Sequence, residues 1–205
     1  MPTFPTFIEE NKLRQQGYQY IAGIDEAGCG CWAGPLVCGV VILPPEFNPT
    51  GIRDSKLLTS GRREKFYDII KDKALDWSIG QASEKEIDDL GLTKAKIKAV
   101  GRALEFLKIK PEYLLLDNNI TGPLEIPARS FIKGDVNIIS IACASIMAKV
   151  TRDNIIIKLA KNYPEYAFES NKGYGTKEHQ EALQKYGVCA IHRRSYKPIA
   201  SVITR

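Results

Sequence analysis

The sequence lacks the features of a secreted or membrane protein. Its five cysteines are an odd number and do not suggest a disulfide framework in a chain of 205 residues. Its apolar runs are too short, or too interrupted by charge, to span a bilayer. Residues 1–11 contain Glu9 and Glu10 and have no basic start followed by an apolar core, so they do not form a signal peptide. We therefore expect a globular, cytoplasmic protein with no membrane partner.

The charge is distributed unevenly. The net charge is +5, yet residues 1–170 hold 22 Lys+Arg against 22 Asp+Glu, while residues 171–205 hold 7 against 2. The basic segment also carries Tyr174, Tyr186 and Tyr196. Such a segment suits a polyanion such as nucleic acid, although an ordinary solvated surface has similar counts.

Residues 20–35 contain the most informative pattern. An apolar, β-prone run ends in the adjacent carboxylates Asp25 and Glu26, and the loop that follows contains Gly28 and Gly30. Neighbouring side chains of a strand point to opposite faces, so both acids can approach one site only if the strand ends there. A hard divalent cation with oxygen ligands would neutralise them. The pattern indicates a Mg²⁺ or Mn²⁺ site facing a phosphate-containing substrate, with a plain polar loop as the alternative.

The same loop also matches a nucleotide-binding pattern. Gly28, Gly30 and Ala33 fit the dinucleotide-binding fingerprint, which requires a helix that begins within it. Two acids would repel the pyrophosphate, and Pro35 precedes a β-prone run over residues 36–43. These features favour a second strand and argue against dinucleotide binding.

Further carboxylates follow predicted strands. Residues 113–117 form an apolar run that ends in Asp117, and Asp135 precedes a long helical pattern over residues 136–159. Strand ends carry the chemistry of α/β sheets, so both acids are candidate metal ligands. Asp135 or Asn137 could instead be only the N-cap of the helix.

Two further groups could meet phosphates. Asp54, Ser55 and Lys56 precede a predicted helix over residues 60–73 and could either cap that helix or hold a phosphate. In the long helix, four residues share a face by their spacing, and two of them, Lys149 and Asp153, could form only an i,i+4 ion pair. The four are Ser145, Lys149, Arg152 and Asp153. The spacing also predicts a strand over 77–81, a capping box at Ser83 and Glu86, and a helix from residue 93.

In this order, the motifs resemble the type 2 ribonuclease H family, specifically ribonuclease HII. The resemblance covers roughly residues 18–200. The matching pieces are Gly23-Ile24-Asp25-Glu26-Ala27-Gly28, Asp54-Ser55-Lys56-Leu57, Leu115-Leu116-Asp117, Lys133-Gly134-Asp135, the segment 145–153, Gly173-Tyr174-Gly175-Thr176 with His179, and His192-Arg193 with Ser195.

The resemblance implies an α/β, RNase H-like fold: a mixed five-stranded sheet flanked by helices in residues 1–170, with a basic helical appendage in residues 171–205. It implies endonucleolytic cleavage of RNA in RNA–DNA hybrids and next to single ribonucleotides in duplex DNA. It assigns two Mg²⁺ or Mn²⁺ ions to Asp25, Glu26, Asp117 and Asp135. We expect Asp25, on the central strand, to bridge the metals.

By the same resemblance, the backbone of Gly28, Cys29 and Gly30 contacts the 2′-OH, and Tyr174 packs on the next, deoxy sugar. The remaining expected substrate contacts are Ser55, Lys56, Ser145, Lys149 and Arg152.

One departure from the family pattern concerns this loop. Cys29 replaces the usual arginine, Cys31 lies where proline is common, and Asn118 replaces a usual glycine. The loss of a charge-assisted phosphate contact predicts weaker binding or a relaxed preference for the RNA–DNA junction. Cys29 and Cys31 could also form a redox switch.

Two other functions stay open at this point. One is an RNase H-like nuclease that acts on DNA, and the other is a hybrid-binding protein that has lost catalysis. We expect a monomer, and the sequence does not show whether a replication clamp is a partner.

Overall fold

A computed structural model describes residues 4–48, 50–53, 55–117 and 125–204, so Asp54 and Asn118 lie outside the described residues. The described residues form one mixed five-stranded sheet in the order β3-β2-β1-β4-β5, with β1 at its centre. β1 pairs antiparallel with β2 and parallel with β4. This confirms the expected sheet. The strands are β1 Ile21–Ala27, β2 Leu36–Ile42, β3 Asp76–Ala82, β4 Tyr113–Asp117 and β5 Ala128–Phe131.

Helices cover both faces of this sheet. The α-helices are α1 Ile8–Gln15, α2 Ser60–Lys73, α3 Glu84–Leu90, α4 Leu92–Glu105, α5 Gly134–Asn137, α6 Ile139–Ala160, α7 Phe168–Asn171, α8 Lys177–Tyr186 and α9 Lys197–Ile203. Short 3-10 helices lie at Ser55–Leu57 and Pro164–Tyr166. α1, α2 and α6 pack on one face of the sheet, and α3 and α4 pack on the other. The first half of α6, residues 139–148, is buried on all sides, as expected of a helix in the middle of the protein.

Strand alternation assigns each residue of β1 to one helical layer. Gly23 packs directly against the backbone of α6, and a Cβ atom there would overlap Ser140. Ile24 belongs to the apolar cluster that includes Ala99 of α4. Successive strand residues point to opposite faces, so Asp25 belongs to the α6 layer and Glu26 to the α4 layer.

The start of the long helix differs from its prediction. The predicted helix over residues 136–159 is divided at Ile138, whose backbone is extended, into α5 and α6. The N-terminal segment causes the break, because Thr6 donates to the Asn137 carbonyl and accepts from Ile139 N–H in place of helical bonds. Neither Asp135 nor Asn137 caps the helix, since both lie inside α5 and no side chain caps α6.

The predicted caps elsewhere have mixed outcomes. The capping box of Ser83 and Glu86 is confirmed at the start of α3. The expectation that residues 54–56 cap α2 is wrong for the described part of that segment, because Thr59 accepts the hydrogen bond from Arg62 N–H. Ser55 and Lys56 lie one turn earlier, in the first 3-10 helix.

The C-terminal helices share an apolar core with α6 and with the loop between β1 and β2. Phe168, Leu183 and Ile199 pack with Ile156 of α6 and with Ala33 from the loop between β1 and β2. The C-terminal segment therefore touches the candidate site from outside the sheet. None of the described helices is both long and apolar enough to cross a membrane.

Candidate active site

Three aspartates meet at one edge of the sheet. Each contributes a carboxylate oxygen to a group in which all the oxygens lie within 4.8 Å of one another: Asp25, Asp117 and Asp135. β1 and β4 run parallel with Ile24 paired to Leu116, so the next residues along the two strands lie side by side. α5 brings the third carboxylate over the end of β4.

Burial and mutual repulsion disfavour the ionised aspartates. Burial raises the pKa of Asp25 well above its usual value, and the charges of Glu26 and Asp117 raise it further. Burial, followed by the charge of Asp135, raises the pKa of Asp117. Lys56 Nζ lies 3.3 Å from Asp135 Oδ2, but the lysine side chain is 75% exposed. Hard oxygen donors with so little compensating charge fit a divalent cation.

Hydrogen bonds fix the orientation of the aspartates. The Ser145 hydroxyl bonds to Asp25, and its oxygen lies 2.9 Å from Ser55 Oγ. An ionised Asp25 can only accept, so in that state Ser145 donates to Asp25 and accepts from Ser55. Gly134 N–H donates to Asp117 Oδ1 at 2.6 Å. Ser55 and Ser145, expected at the substrate, are buried and act behind the acids in this structure.

Glu26 does not join this group. β1 continues through Ala27, so the strand does not end at the two acids as we expected, and their side chains leave opposite faces of the sheet. Glu26 Oε1 instead lies 2.6 Å from Nζ of Lys96 on α4. Lys96 was not expected as a site residue. The available signal was its position three and four residues before Ala99 and Val100, on the buried face of α4.

Two buried arginines hold the backbone of the loop between β1 and β2. Arg152 donates to the carbonyls of Ala33, Pro35 and Lys172. Arg193, which the sequence marked as part of a matching motif but not as a site residue, donates to the carbonyls of Gly28, Cys29 and Gly34. It also donates to the Tyr196 hydroxyl. Both side chains are fully buried. The geometry therefore does not support the expected contact between Arg152 and substrate, and it gives both arginines a positioning role.

The loop geometry also bears on the dinucleotide alternative. Gly28 has φ +100°, and a Cβ atom there would overlap the Arg152 guanidinium. Gly30 has open space around it. The chain continues into β2 instead of a helix, so the pyrophosphate-binding helix that the fingerprint requires is not formed.

Tyr174 lies beside this loop with its ring 40% exposed. The Lys149 ammonium is 5.4 Å from the ring centroid, and the same ammonium pairs with Asp153 at 2.9 Å. The i,i+4 ion pair considered from the spacing is thus present. Cys31, which is fully buried, hydrogen-bonds with the Tyr174 side chain.

Comparison with known proteins places this arrangement in a family. The family model described as Ribonuclease HII matches residues 22–199. The chain is 49% identical over 191 residues to a ribonuclease HII of Desulfitobacterium hafniense, which covers 93% of this chain and 74% of the relative.

Solved structures agree. The chain resembles the ribonuclease H2 of Pyrococcus horikoshii with a TM-score of 0.77 and 30% identity, covering 91% of this chain and 98% of that one. It also resembles the structure described as the PCNA:RNase HII complex from Archaeoglobus fulgidus, with a TM-score of 0.75, 25% identity and coverage of 87% and 96%. The chain therefore belongs to the ribonuclease HII family and is a metal-dependent ribonuclease H that acts on RNA–DNA hybrids.

Proposed function

We propose that this ribonuclease H cleaves on the 5′ side of ribonucleotides, both in RNA–DNA hybrids and where one ribonucleotide is embedded in duplex DNA, and that Asp25, Asp117 and Asp135 are its metal ligands. The observation that carries the proposal is the convergence of their oxygens within 4.8 Å. We propose Glu26 as a fourth metal ligand, which would have to leave Lys96 and the other face of β1 to reach this group.

We propose two Mg²⁺ or Mn²⁺ ions at these carboxylates. When bound, the ions supply a nucleophile from water and stabilise the leaving 3′ oxygen. The chain contributes ligand orientation, because Ser145 fixes Asp25 and Gly134 N–H fixes Asp117 before any ion arrives. Asp25 is the proposed bridging ligand, since it lies on the central strand and has an acid on either side.

Ribose recognition is proposed for the loop backbone. Across the part of the chain that the structure describes, the N–H groups of Gly28, Cys29 and Gly30 have no hydrogen-bond acceptor. Arg193 binds the carbonyls of Gly28 and Cys29, which holds the loop in place. A 2′-OH can accept from such N–H groups, and a deoxyribose cannot.

Tyr174 is proposed to pack on the deoxy sugar that follows the ribonucleotide. The exposure of this residue and the nearby Lys149 ammonium support this role. A Tyr174→Ala variant should lose the preference for the RNA–DNA junction, which is measured as the cleavage ratio between a junction substrate and an all-RNA strand. An unchanged ratio would refute the role.

We propose that the protein acts as a cytoplasmic monomer. A sliding clamp is a candidate partner, supported by the PCNA complex of the Archaeoglobus fulgidus relative. Light scattering after size-exclusion chromatography tests the monomer, and co-elution with the host's clamp tests the partner.

The deciding experiment uses a labelled duplex with one ribonucleotide beside the matching all-DNA duplex. Each is incubated with Mg²⁺, Mn²⁺ or EDTA, using the wild type and Asp117→Asn. We expect metal-dependent cutting 5′ to the ribonucleotide only, lost in the variant. Cutting of the all-DNA duplex would instead indicate a DNA-directed nuclease, and binding without cutting would indicate a hybrid-binding protein.

A further inference from the structure

The ion pair between Lys96 and Glu26 is unusual in its surroundings. Lys96 Nζ is 2.6 Å from Glu26 Oε1, and the two side chains are only 17% and 12% exposed. The same oxygen accepts a hydrogen bond from Cys29 Sγ at 3.3 Å. Lys96 Nζ and Cys29 Sγ thus meet at one carboxylate oxygen, which places the ammonium beside the Gly28–Gly30 loop.

The ion pair leaves the Glu26 carboxylate incompletely satisfied. Its second oxygen, Oε2, is buried and has no hydrogen-bond partner among the residues that the structure describes. A partly buried ion pair stabilises a fold well only when its remaining polar atoms are also bonded. Stability alone therefore explains this pair poorly. The unbonded Glu26 oxygen suits a carboxylate that binds a second partner.

The two arginines near Cys29 are held below the surface, although Arg193 Nη2 has no hydrogen-bond partner among the residues that the structure describes. Arg152 and Arg193 are fully buried, and their guanidinium groups donate to backbone carbonyls of the loop. Lys96 is held only by side chains in the bonds described, and part of it reaches solvent. A nucleic acid strand on this loop would therefore meet the Lys96 ammonium and not an arginine.

We propose that Lys96 exchanges partners. In the free protein it neutralises Glu26, and when a strand lies on the Gly28–Gly30 loop its ammonium contacts a phosphodiester oxygen. Lys96 thus supplies, from α4, the positive charge that the neutral side chain of Cys29 does not supply. This inference rests on the proposed function, because it requires the strand to lie on this loop.

The test measures binding without cleavage. Fluorescence anisotropy with a labelled RNA–DNA hybrid in EDTA, at several NaCl concentrations, compares the wild type with Lys96→Gln. We expect about 5- to 20-fold weaker binding and a salt slope that is less negative by about 0.9, which corresponds to the loss of one phosphate contact. Lys94→Gln, an exposed position on the same helix, is the matched control and should change neither value.

Two further variants separate lost charge from lost structure. Lys96→Arg should keep the wild-type salt slope. Adding Cys29→Arg to Lys96→Gln should restore both affinity and slope, whereas Cys29→Arg alone should change little because Lys96 already fills the role. If Lys96→Gln does not fold, failure of Lys96→Arg to keep the slope would overturn the proposal.

The affinity for metal should change in the opposite direction from the affinity for the hybrid. Titration calorimetry with Mn²⁺ and no nucleic acid should show about 3- to 10-fold tighter binding to Lys96→Gln, because the ammonium no longer competes for Glu26. A purely structural lysine would weaken both hybrid and metal binding when replaced. Equal hybrid binding by Lys96→Gln and Lys94→Gln would overturn this inference alone, whereas no hybrid binding by the wild type would overturn the proposed function as well.

Discussion

Nε2 of His179 lies 2.9 Å from Nε2 of His192, in the buried C-terminal core. His179 Nδ1 lies 2.9 Å from the Tyr174 carbonyl, which can only accept, so this nitrogen carries the proton. Cys189 N–H donates to His192 Nδ1, so that ring carries its proton on Nε2 and donates it to His179. The relay is complete only when both rings are neutral, and it connects the core to the backbone of Tyr174.

This pair predicts a loss of stability in acid. Burial, followed by the charge of His179, lowers the pKa of His192 to about 4 from its usual 6.5. Between these values the folded protein binds fewer protons than the unfolded chain, so the free energy of unfolding rises with pH. The stabilisation is fully present above pH 6.5 and amounts to about 3 kcal/mol, which is lost as the pH falls toward 4.

Urea unfolding of the wild type and His192→Gln from pH 4 to 7.5 tests this prediction. The variant should be less stable at pH 7.5, and the gap should narrow on acidification. Parallel pH profiles for the two proteins would show that the histidine pair does not cause the dependence.

Gly28 and Gly30 should respond differently to alanine. Gly28→Ala combines a φ of +100° with overlap onto Arg152, so we expect it to disorder the loop and lower hybrid affinity at least 10-fold. Gly30→Ala has room for the methyl group and should keep the fold. Anisotropy with the hybrid and thermal unfolding of both variants check this, and equal effects of the two changes would contradict it.

Arg152→Lys should lower stability more than it changes substrate binding. Lysine cannot donate to three carbonyls in the same planar fan, and each buried acceptor left without a donor costs about 1–3 kcal/mol. We expect a loss of about 2–4 kcal/mol in the free energy of unfolding. Arg194→Lys, at an exposed position, is the control. A stable Arg152→Gln protein with a less negative salt slope would instead support the phosphate contact expected from the sequence.

Cys29 should resist alkylation. Burial, followed by the charge of Glu26, raises the pKa of its thiol to about 12 from 9.0, which leaves about 1000-fold less reactive thiolate at neutral pH. Iodoacetamide labelling read by peptide mass should therefore be slow at Cys29, and activity should be equal in reducing and oxidising buffer. Rapid labelling, or a loss of activity on oxidation, would revive the redox switch considered from the sequence.

Asp117→Asn should stabilise the metal-free protein. Burial and the nearby acids raise the pKa of Asp117, so its charge destabilises the fold at neutral pH. An asparagine oxygen can still accept from Gly134 N–H, so we expect the variant to have a higher free energy of unfolding. Unfolding in EDTA checks the gain, with the exposed Asp72→Asn as control. Added Mn²⁺ should stabilise the wild type more than the variant, and a less stable variant in EDTA would contradict the prediction.

The sequence predicted most of the sheet because its inner strands are apolar runs with clear ends. β5 was missed for the opposite reason. Its four residues, Ala128–Phe131, are mostly exposed and show no apolar run. The break at Ile138 depends on bonds to Thr6, more than 130 residues away, so no local pattern in residues 136–159 could reveal it.

The sequence predicted which acids lie near the candidate site better than it predicted how their side chains are arranged. Asp25, Asp117 and Asp135 meet as the motifs indicated. Glu26 leaves the other face because the strand continues for one more residue, and the length of a strand is poorly defined by sequence. Its partner Lys96 comes from a helix 70 residues later, and their pairing depends on the packing of α4 on the sheet.

The dependence of the Gly28–Gly34 backbone on Arg193 also concerns how the protein is made. The two partners of the hydrogen bond between Gly28 and Arg193 are separated by 165 positions. During synthesis the loop emerges from the ribosome early. Arg193, whose buried guanidinium holds the loop, emerges only after nearly all of the sequence has been translated. The growing chain therefore contains its three aspartates well before it can organise the loop that we propose to distinguish ribose from deoxyribose.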